Sequence, residues 1–391
     1  MTHFNNTKIA FQSKSNKDLK RAYFLFSSIK YPFVVKIGQI LSALALKIHF
    51  PVNWLVKPTI YKQFCGGENI EECKPTVHKM AQYNVKSILD YSVEGKENDK
   101  DIQSALEETI RAIENAAKDP DVPFAVFKPT GFGKSAVLEK ASSEQELSKE
   151  DMFELEKFKQ RIHHLCKTAY DNGVAIMIDA EDFAYQKVID VVVRENMKKF
   201  NKKQPVVFNT LQMYRWDRLD FLKTELQKAE EDNYFLGIKF VRGAYMEKER
   251  LRAKKYGYPD PIHKDKERTD QDYNKGLKFA IENIEKIAIF NGTHNENSSM
   301  YLTELMAQHG IAKNDERVYF SQLYGMSDHI SFNLAHEGYN VAKYLPYGPV
   351  KNVLPYLIRR VEENSSVKGQ TSRELGLIKK ELHRRKTENI I

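Results

Sequence analysis

The chain is built on an alternation. Eight times, a short apolar run is followed by a stretch that reads as a helix. The runs are NVKSILDYSVEG (84–95), FAVFKPT (124–130), GVAIMIDAE (173–181), PVVFNTLQ (205–212), LGIKFVRGA (236–244), IAIFNGTHN (287–295), RVYFSQLYG (317–325) and YNVAKYLPYG (339–348). After the first run, Ile102, Leu106, Ile110 and Ile113 fall on one helical face. A later helix aligns Met152, Leu155, Phe158, Ile162, Leu165 and Ala169, and another aligns Trp216, Leu219, Leu222 and Leu226. GVAIMIDAE is almost continuously apolar, as expected of a strand covered on both faces. Strands alternating with helices predict a parallel sheet. Eight units in succession fit a closed β/α barrel better than an open doubly wound sheet. A barrel needs roughly 250 residues, and the chain has 391. The expected organisation is therefore an N-terminal helical arm over 1–80, a barrel over 81–366 and a charged, helical surface tail over 367–391.

Composition narrows the function classes. Hydrophobic residues at 41% and charged residues at 29% exclude a disordered or fibrous chain. The formal charge of +8 permits an anionic partner, but no nucleic-acid-binding motif accompanies it, so no nucleic acid is expected. Cys65, Cys73 and Cys166 form no CxxC pair and no disulfide framework, which suits a reduced, intracellular protein. The opening MTHFNNTKIAFQSKSNKD lacks the apolar core of a signal peptide. The most apolar early stretch is 31–56. Its run IGQILSALAL (37–46) is ten residues, short of the roughly 18 that span a bilayer. Two helices packed on the body are expected there. Flanking lysines also allow a peripheral membrane contact.

Chemistry in such barrels sits at the carboxyl ends of the strands, and here those ends are polar. Lys128, Asp179 and Glu181, Gln212, Lys239 with Arg242 and Tyr245, Thr293-His294-Asn295, Gln322 and Tyr344 occupy them in turn. A charged residue in an apolar strand is costly unless paired, so Lys128, Asp179 and Lys239 stand out from surface charges. In the helix after the last strand, PVKNVLPYLIRRVEEN (349–364), Tyr356, Arg359, Arg360 and Glu363 share one face. That face reads either as a solvated salt-bridged surface or as a bidentate grip for a carboxylate. TGFGKS (130–135) is not a phosphate loop, because Lys128 stands where the pattern needs its first glycine. Asp179, Glu181, Asp182 and His294 could ligate a metal, as in a barrel lyase or hydrolase. The lysines and arginines crowding the same rim argue against it, and no metal is expected.

The segments VFKPT, IDAE, KFVRGAY, THN, and YLPYGP followed by PYLIRRVEEN, in that order and spacing, resemble proline dehydrogenase. The resemblance runs from Phe64-Cys65-Gly66-Gly67-Glu68 to GQTSREL (369–375). It implies a distorted (β/α)8 TIM-like barrel holding FAD, with the last helix laid over the carboxyl ends of the strands. It implies that Arg359 and Arg360, helped by Lys128, bind the proline carboxylate and that Glu363 holds an arginine in place. Tyr344 and Tyr356 would close over the pyrrolidine ring, Tyr245 would pack nearby, and Asp179 would support Lys128. For the cofactor, it implies Lys239 beside the flavin N5 atom, Gln212 at the isoalloxazine edge, and the backbone of Val241, Gly243 and Ala244. Thr293, His294 and Asn295 would line the adenosine or phosphate end. Lys266 would meet the pyrophosphate, and Gln322 would also contact the cofactor. Met246 stands where many bacterial members have a tryptophan. The implied reaction is FAD-dependent oxidation of L-proline to 1-pyrroline-5-carboxylate, the first step of proline catabolism to glutamate. Electrons would pass to a quinone, in a monofunctional enzyme of the cytoplasm or the inner face of a membrane. No GxGxxG fingerprint points to an NAD partner. The rival within the family is a 4-hydroxyproline dehydrogenase, against which Tyr344 speaks, since its bulk should crowd a ring hydroxyl.

Overall fold

The computed structural model describes residues 4–29, 31, 33, 56–92, 97–366 and 370–390, with side chains at all of these except 363–366, 370 and 371. Most of the apolar stretch 31–56 lies outside them. Each sequence run yields one strand: β1 (Val85–Tyr91), β2 (Phe124–Phe127), β3 (Ala175–Ile178), β4 (Val207–Gln212), β5 (Leu236–Val241), β6 (Ile287–Gly292), β7 (Val318–Leu323) and β8 (Val341–Tyr347). They pair in sequence order as a closed barrel, and the β1–β8 ladder and those from β2 through β7 are parallel. This is the expected β/α barrel.

The helices are α1 (Thr7–Ala10), α2 (Asn16–Ile29), α3 (Ile70–Ala81), α4 (Asp99–Lys118), α5 (Ser135–Ser142), α6 (Lys149–Asp171), α7 (Phe183–Phe200), α8 (Arg218–Glu231), α9 (Met246–Tyr256), α10 (Lys266–Glu282), α11 (Glu296–Gln308), α12 (Asp328–His336), α13 (Val350–Ser366) and α14 (Gln370–Thr387). Many start where a side chain can accept an otherwise orphaned N–H. Asn69, Asn98, Asp265 and Asn295 cap α3, α4, α10 and α11 in this way. Ser148 and Asp151 form a reciprocal capping box at α6. Two residues expected on buried helical faces are exposed, Met152 at 51% and Trp216 at 56%. Trp216 precedes its helix, which begins at Arg218, and its indole N–H donates to the Asp260 carbonyl.

The residues gather into two compact units. The first comprises Gly95–Ser321 and Gly338–Asn340; the second comprises Thr2–Glu94, Gln322–Glu337 and Val341–Ile391. These lines differ from the arm, barrel and tail drawn from the sequence, a division that remains a proposal.

In the first unit, residues paired in register share a face. Phe124 meets Phe208, Phe290 and Tyr319 edge-on, with centroids 5.6, 5.3 and 4.9 Å away. These rings fill the interior near the amino ends of their strands. Thr210, Lys239, Phe290 and Tyr319 form one registered row, so Lys239 points inward with the rings.

In the second unit, one apolar core joins α2, α13 and α14 through Leu19, Phe26, Val353, Leu357, Leu375 and Ile378. The charged tail forms α14, which buries Glu374, Glu381 and Arg385 on one face and exposes Lys379, Lys380, His383 and Lys386 on the other.

Candidate active site

Strand ends in the first unit converge on a polar cluster. Lys239 Nζ donates to Asp179 Oδ1 across 2.6 Å, and both side chains are largely buried. The pair spans the interior from β5 to the residue after β3. Asp179 N also donates to the Phe127 carbonyl, which places it beside the end of β2, where Lys128 follows. The resemblance set Asp179 in support of Lys128; the structure adds its ion pair with Lys239.

Two residues beyond Asp179 lies Glu181, buried and held at every polar group on its backbone. Its N–H donates to Gln186 Oε1 at 2.7 Å, and its carbonyl accepts from Gln212 Nε2 at 3.0 Å. Its carboxylate accepts from Thr130 Oγ1 at 2.6 Å. Burial pushes the Glu181 carboxyl up to about 7, although the Thr130 bond and the Lys128 charge pull the other way. Sequence reading placed Glu181 among the polar strand ends and in a candidate metal set. Its value as a buried carboxyl with a threonine partner depends on a contact between residues 51 positions apart. Among the described residues, Asp179, Glu181, Asp182 and His294 do not converge as metal ligands.

Beyond Lys239 the backbone packs closely. Gly292 continues the inward face of β6. A Cβ there would stand 3.2 Å from the Phe240 carbonyl oxygen, 3.3 Å from Val241 Cγ1 and 3.8 Å from Lys239 Cε. Its registered neighbour on β7 is Ser321, whose Oγ is buried without a hydrogen-bond partner. Ser321, rather than Gln322, therefore shares the face of Gly292. Gln322 turns the other way, and its Oε1 accepts from Ser331 Oγ of α12 at 2.7 Å.

The loop after β5 is shaped by Gly243. Its φ is +129°, and a Cβ there would lie 2.5 Å from the Tyr214 ring. Glycine alone adopts this φ readily and leaves the space that the ring occupies. Gly243 and Ala244 are exposed, while Val241 and Tyr245 are half-buried.

A second cluster forms around Arg242. Its guanidinium donates to Asp270 Oδ1 at 2.8 Å, to Thr293 Oγ1 at 2.6 Å and to Ser298 Oγ at 3.0 Å, and it stacks over Tyr273. Asp270 also pairs with Lys266, which is exposed at the start of α10. Burial alone would raise the Asp270 carboxyl, but Lys266 and Arg242 outweigh it and hold it low. The structure thus brings Lys266, Arg242 and Thr293 into one network at the amino end of α11. Asn295 serves there as the helix cap, its Oδ1 accepting from Ser298 N at 3.0 Å, and His294 between them is half-buried. The sequence could not show that Asp270 links Lys266 to Arg242, because the contact needs the α10 register.

In the second unit, Tyr344 lies in β8 and is buried, and Tyr324 N donates to its carbonyl at 2.7 Å. On α13, Tyr356 and Arg360 are buried, and the guanidinium of Arg360 sits 5.1 Å from the Tyr356 ring centroid. Arg359 beside it is half-buried. Burial at Arg360 argues against the solvated-face reading of this helix. The Glu363 side chain lies outside those described.

Comparison with known proteins points one way. A family model described as "Proline dehydrogenase" matches residues 73–373. The chain is similar to "Carbapenem antibiotics biosynthesis protein CarD" of Pectobacterium carotovorum subsp. carotovorum, 36% identical over 322 residues, covering 82% of this chain and 83% of that one. It is similar to "Proline dehydrogenase 1, mitochondrial" of Dictyostelium discoideum, 31% identical over 426 residues, covering 97% of this chain and 74% of the other. "Hydroxyproline dehydrogenase" of Xenopus laevis is 29% identical over 412 residues, with 96% and 88% covered. Among solved structures, proline utilization A of Bdellovibrio bacteriovorus superposes with a TM-score of 0.73 at 22% identity. That match covers 92% of this chain but only 38% of the longer protein, and it concerns the fold alone.

Proposed function

The chain belongs to the proline dehydrogenase family and is an oxidoreductase of proline catabolism; on that premise we propose that its barrel binds FAD and oxidises L-proline to 1-pyrroline-5-carboxylate. One observation carries the cofactor reading: the buried Ser321 Oγ lacks a partner on the inward face that Gly292 and Lys239 share. A bound group with acceptor atoms there would satisfy that hydroxyl and receive the Lys239 ammonium. Gln212, Val241 and the exposed backbone at Gly243 and Ala244 would line the flavin. The Arg242, Thr293 and Lys266 cluster, with His294 and Asn295 at the start of α11, would take the anionic end of the cofactor.

FAD, when bound, supplies the two-electron acceptor for the hydride leaving the ring carbon beside nitrogen. The chain's own residues do the rest. Asp179 fixes Lys239 in one rotamer, so that its N–H groups are aimed before substrate arrives. Arg359 and Arg360 grip the carboxylate in the planar, two-pronged manner open to guanidinium, with Lys128 adding charge. Glu363 would steady an arginine. Tyr344 and Tyr356 keep water from the ring, and Tyr245 packs beside them. Proline must also lose the proton on its nitrogen. Lys128, Lys239 and the two arginines favour the neutral amine by like-charge repulsion.

Transfer of the electrons to a quinone, with a peripheral contact at the inner face of a membrane, belongs to the same proposal. Among the described residues no helix is long and apolar enough to cross a membrane. Phe24, Tyr31 and Phe33 are exposed at 72%, 55% and 64% beside the apolar stretch, which suits a contact that lies on lipid.

The test is direct. The purified protein should be yellow and should bleach when L-proline is added without oxygen. A colourless protein that stays so after incubation with FAD overturns the cofactor reading. Faster bleaching by trans-4-hydroxy-L-proline would move the substrate to the hydroxylated ring.

A further inference from the structure

The helix that carries Arg359 and Arg360 owes its position to both ends of the chain. Its apolar side, including Val353, Leu357 and Val361, packs in one core with Leu19 and Phe26 of α2 and with Leu375 and Ile378 of α14. Those two flanking helices are also tied by hydrogen bonds, most of them from one side chain. Arg385 of α14 donates from Nη2 to the Phe11 carbonyl at 2.9 Å. From Nη1 it donates to the Lys14 carbonyl at 2.9 Å and to Asn16 Oδ1 at 2.8 Å. Its Nε donates to Glu381 Oε1 at 2.7 Å, and Glu381 is fully buried. Asn16 returns a bond to the Ile390 carbonyl at 3.0 Å. At the other end of α14, Glu374 accepts from Ser327 N at 3.1 Å, just before α12.

This is not a surface ion pair. Arg385 is only 7% exposed. A guanidinium withdrawn from water is retained only where its N–H groups are met. Two of its acceptors lie in the turn between α1 and α2 and the third is the first residue of α2, so the bonds specify one seating of α14 against that turn. We propose that Arg385 is a positioning residue for the reaction. By clamping α14 to residues 11–16, it sets where α13 presents Arg359 and Arg360 to the substrate carboxylate. The inference rests on the carboxylate role of those arginines given above. It concerns placement only, since Arg385 touches no reacting atom.

The experiment compares three variants of the full-length, flavin-loaded protein. Arg385→Ala should raise KM for L-proline about 10-fold, as small misplacements of a substrate grip do. Its kcat should stay within about 2-fold and its flavin content should be unchanged. Arg194→Ala removes an ion pair with Glu225 in the other unit and should leave KM at the wild-type value. Arg360→Met should raise KM steeply. A folded Arg385→Ala protein with unchanged KM, or with a rise no larger than that of Arg194→Ala, overturns the clamp. An unmoved KM in Arg360→Met overturns the carboxylate reading itself, whereas a rise there with none in Arg385→Ala overturns the clamp alone. Should Arg385→Ala fail to fold, Asn16→Ala removes one acceptor only. It should raise KM in the same direction by about 3-fold, and no rise there is again fatal to the clamp.

Discussion

Glu181 shows how one buried residue links structure to pH. Its carboxyl is raised to about 7, chiefly by burial. An acid with a raised folded value favours the folded state fully below its unfolded value near 4.5, and this contribution is lost as pH rises through about 7. A glutamine keeps the oxygen that accepts from Thr130 and carries no charge to desolvate. Glu181→Gln should therefore gain stability over the wild type as pH rises from 4.5 to 7, by at most about 3 kcal/mol. Thermal or denaturant unfolding at several pH values measures it, and a difference that does not change with pH refutes the burial argument. Lys239 and Asp179 illustrate the opposite case. Each would be costly alone in the interior, and at 2.6 Å each is the reason the other can be there.

At the scale of elements, β8 and α12 are joined by a buried charge cluster that no sequence pattern announced. Lys343 is fully buried and stands 2.8 Å from Asp328, which Lys14 approaches to 3.4 Å. Burial alone would raise the Asp328 carboxyl, but Lys14 and Lys343 outweigh it and hold it low. Lys343 also donates to the Met326 carbonyl at 2.7 Å. Removing one partner of such a set strands the other in low dielectric. Lys343→Met should therefore cost about 3 kcal/mol, although methionine fills a similar volume. Denaturant unfolding of the variant tests this. A loss under about 1 kcal/mol would show that the cluster is solvated or that Lys14 alone suffices. The same strand carries Tyr344 on its other face, so β8 serves the second unit's interior with one side and the proposed substrate site with the other.

For the whole molecule, the expected electron path separates this chain from nicotinamide enzymes. After reduction by L-proline, the yellow form should return on addition of a soluble quinone and should not return with NAD. Stopped-flow absorbance at the flavin band follows both. Re-oxidation by NAD would overturn the quinone assignment. The solved structure from Bdellovibrio bacteriovorus extends well beyond the length matched here, so the activities of that longer protein are not carried across. The candidate residues divide between the two compact units. Lys128, Asp179 and Lys239 belong to the first unit, and Tyr344, Tyr356, Arg359 and Arg360 to the second.

The alternation of apolar runs and helical spacing determined the β/α barrel by itself. Period and composition are local properties, and each run became a strand within a few residues of its expected place. The polar strand ends marked Lys128, Asp179 and Lys239 for the same reason, since a charge inside an apolar strand stands out without coordinates, and helical spacing put the α13 arginines on one face. The partners of those residues were not legible. Asp179 meets Lys239 rather than standing only with Lys128, Ser321 takes the inward position in place of Gln322, and Asp270 ties Lys266 to Arg242. The charged tail likewise proved to bury Glu374, Glu381 and Arg385. Such pairings depend on strand register and on which helical faces meet. A shift of one residue turns every side chain of a strand to the opposite face, and only the tertiary structure decides that.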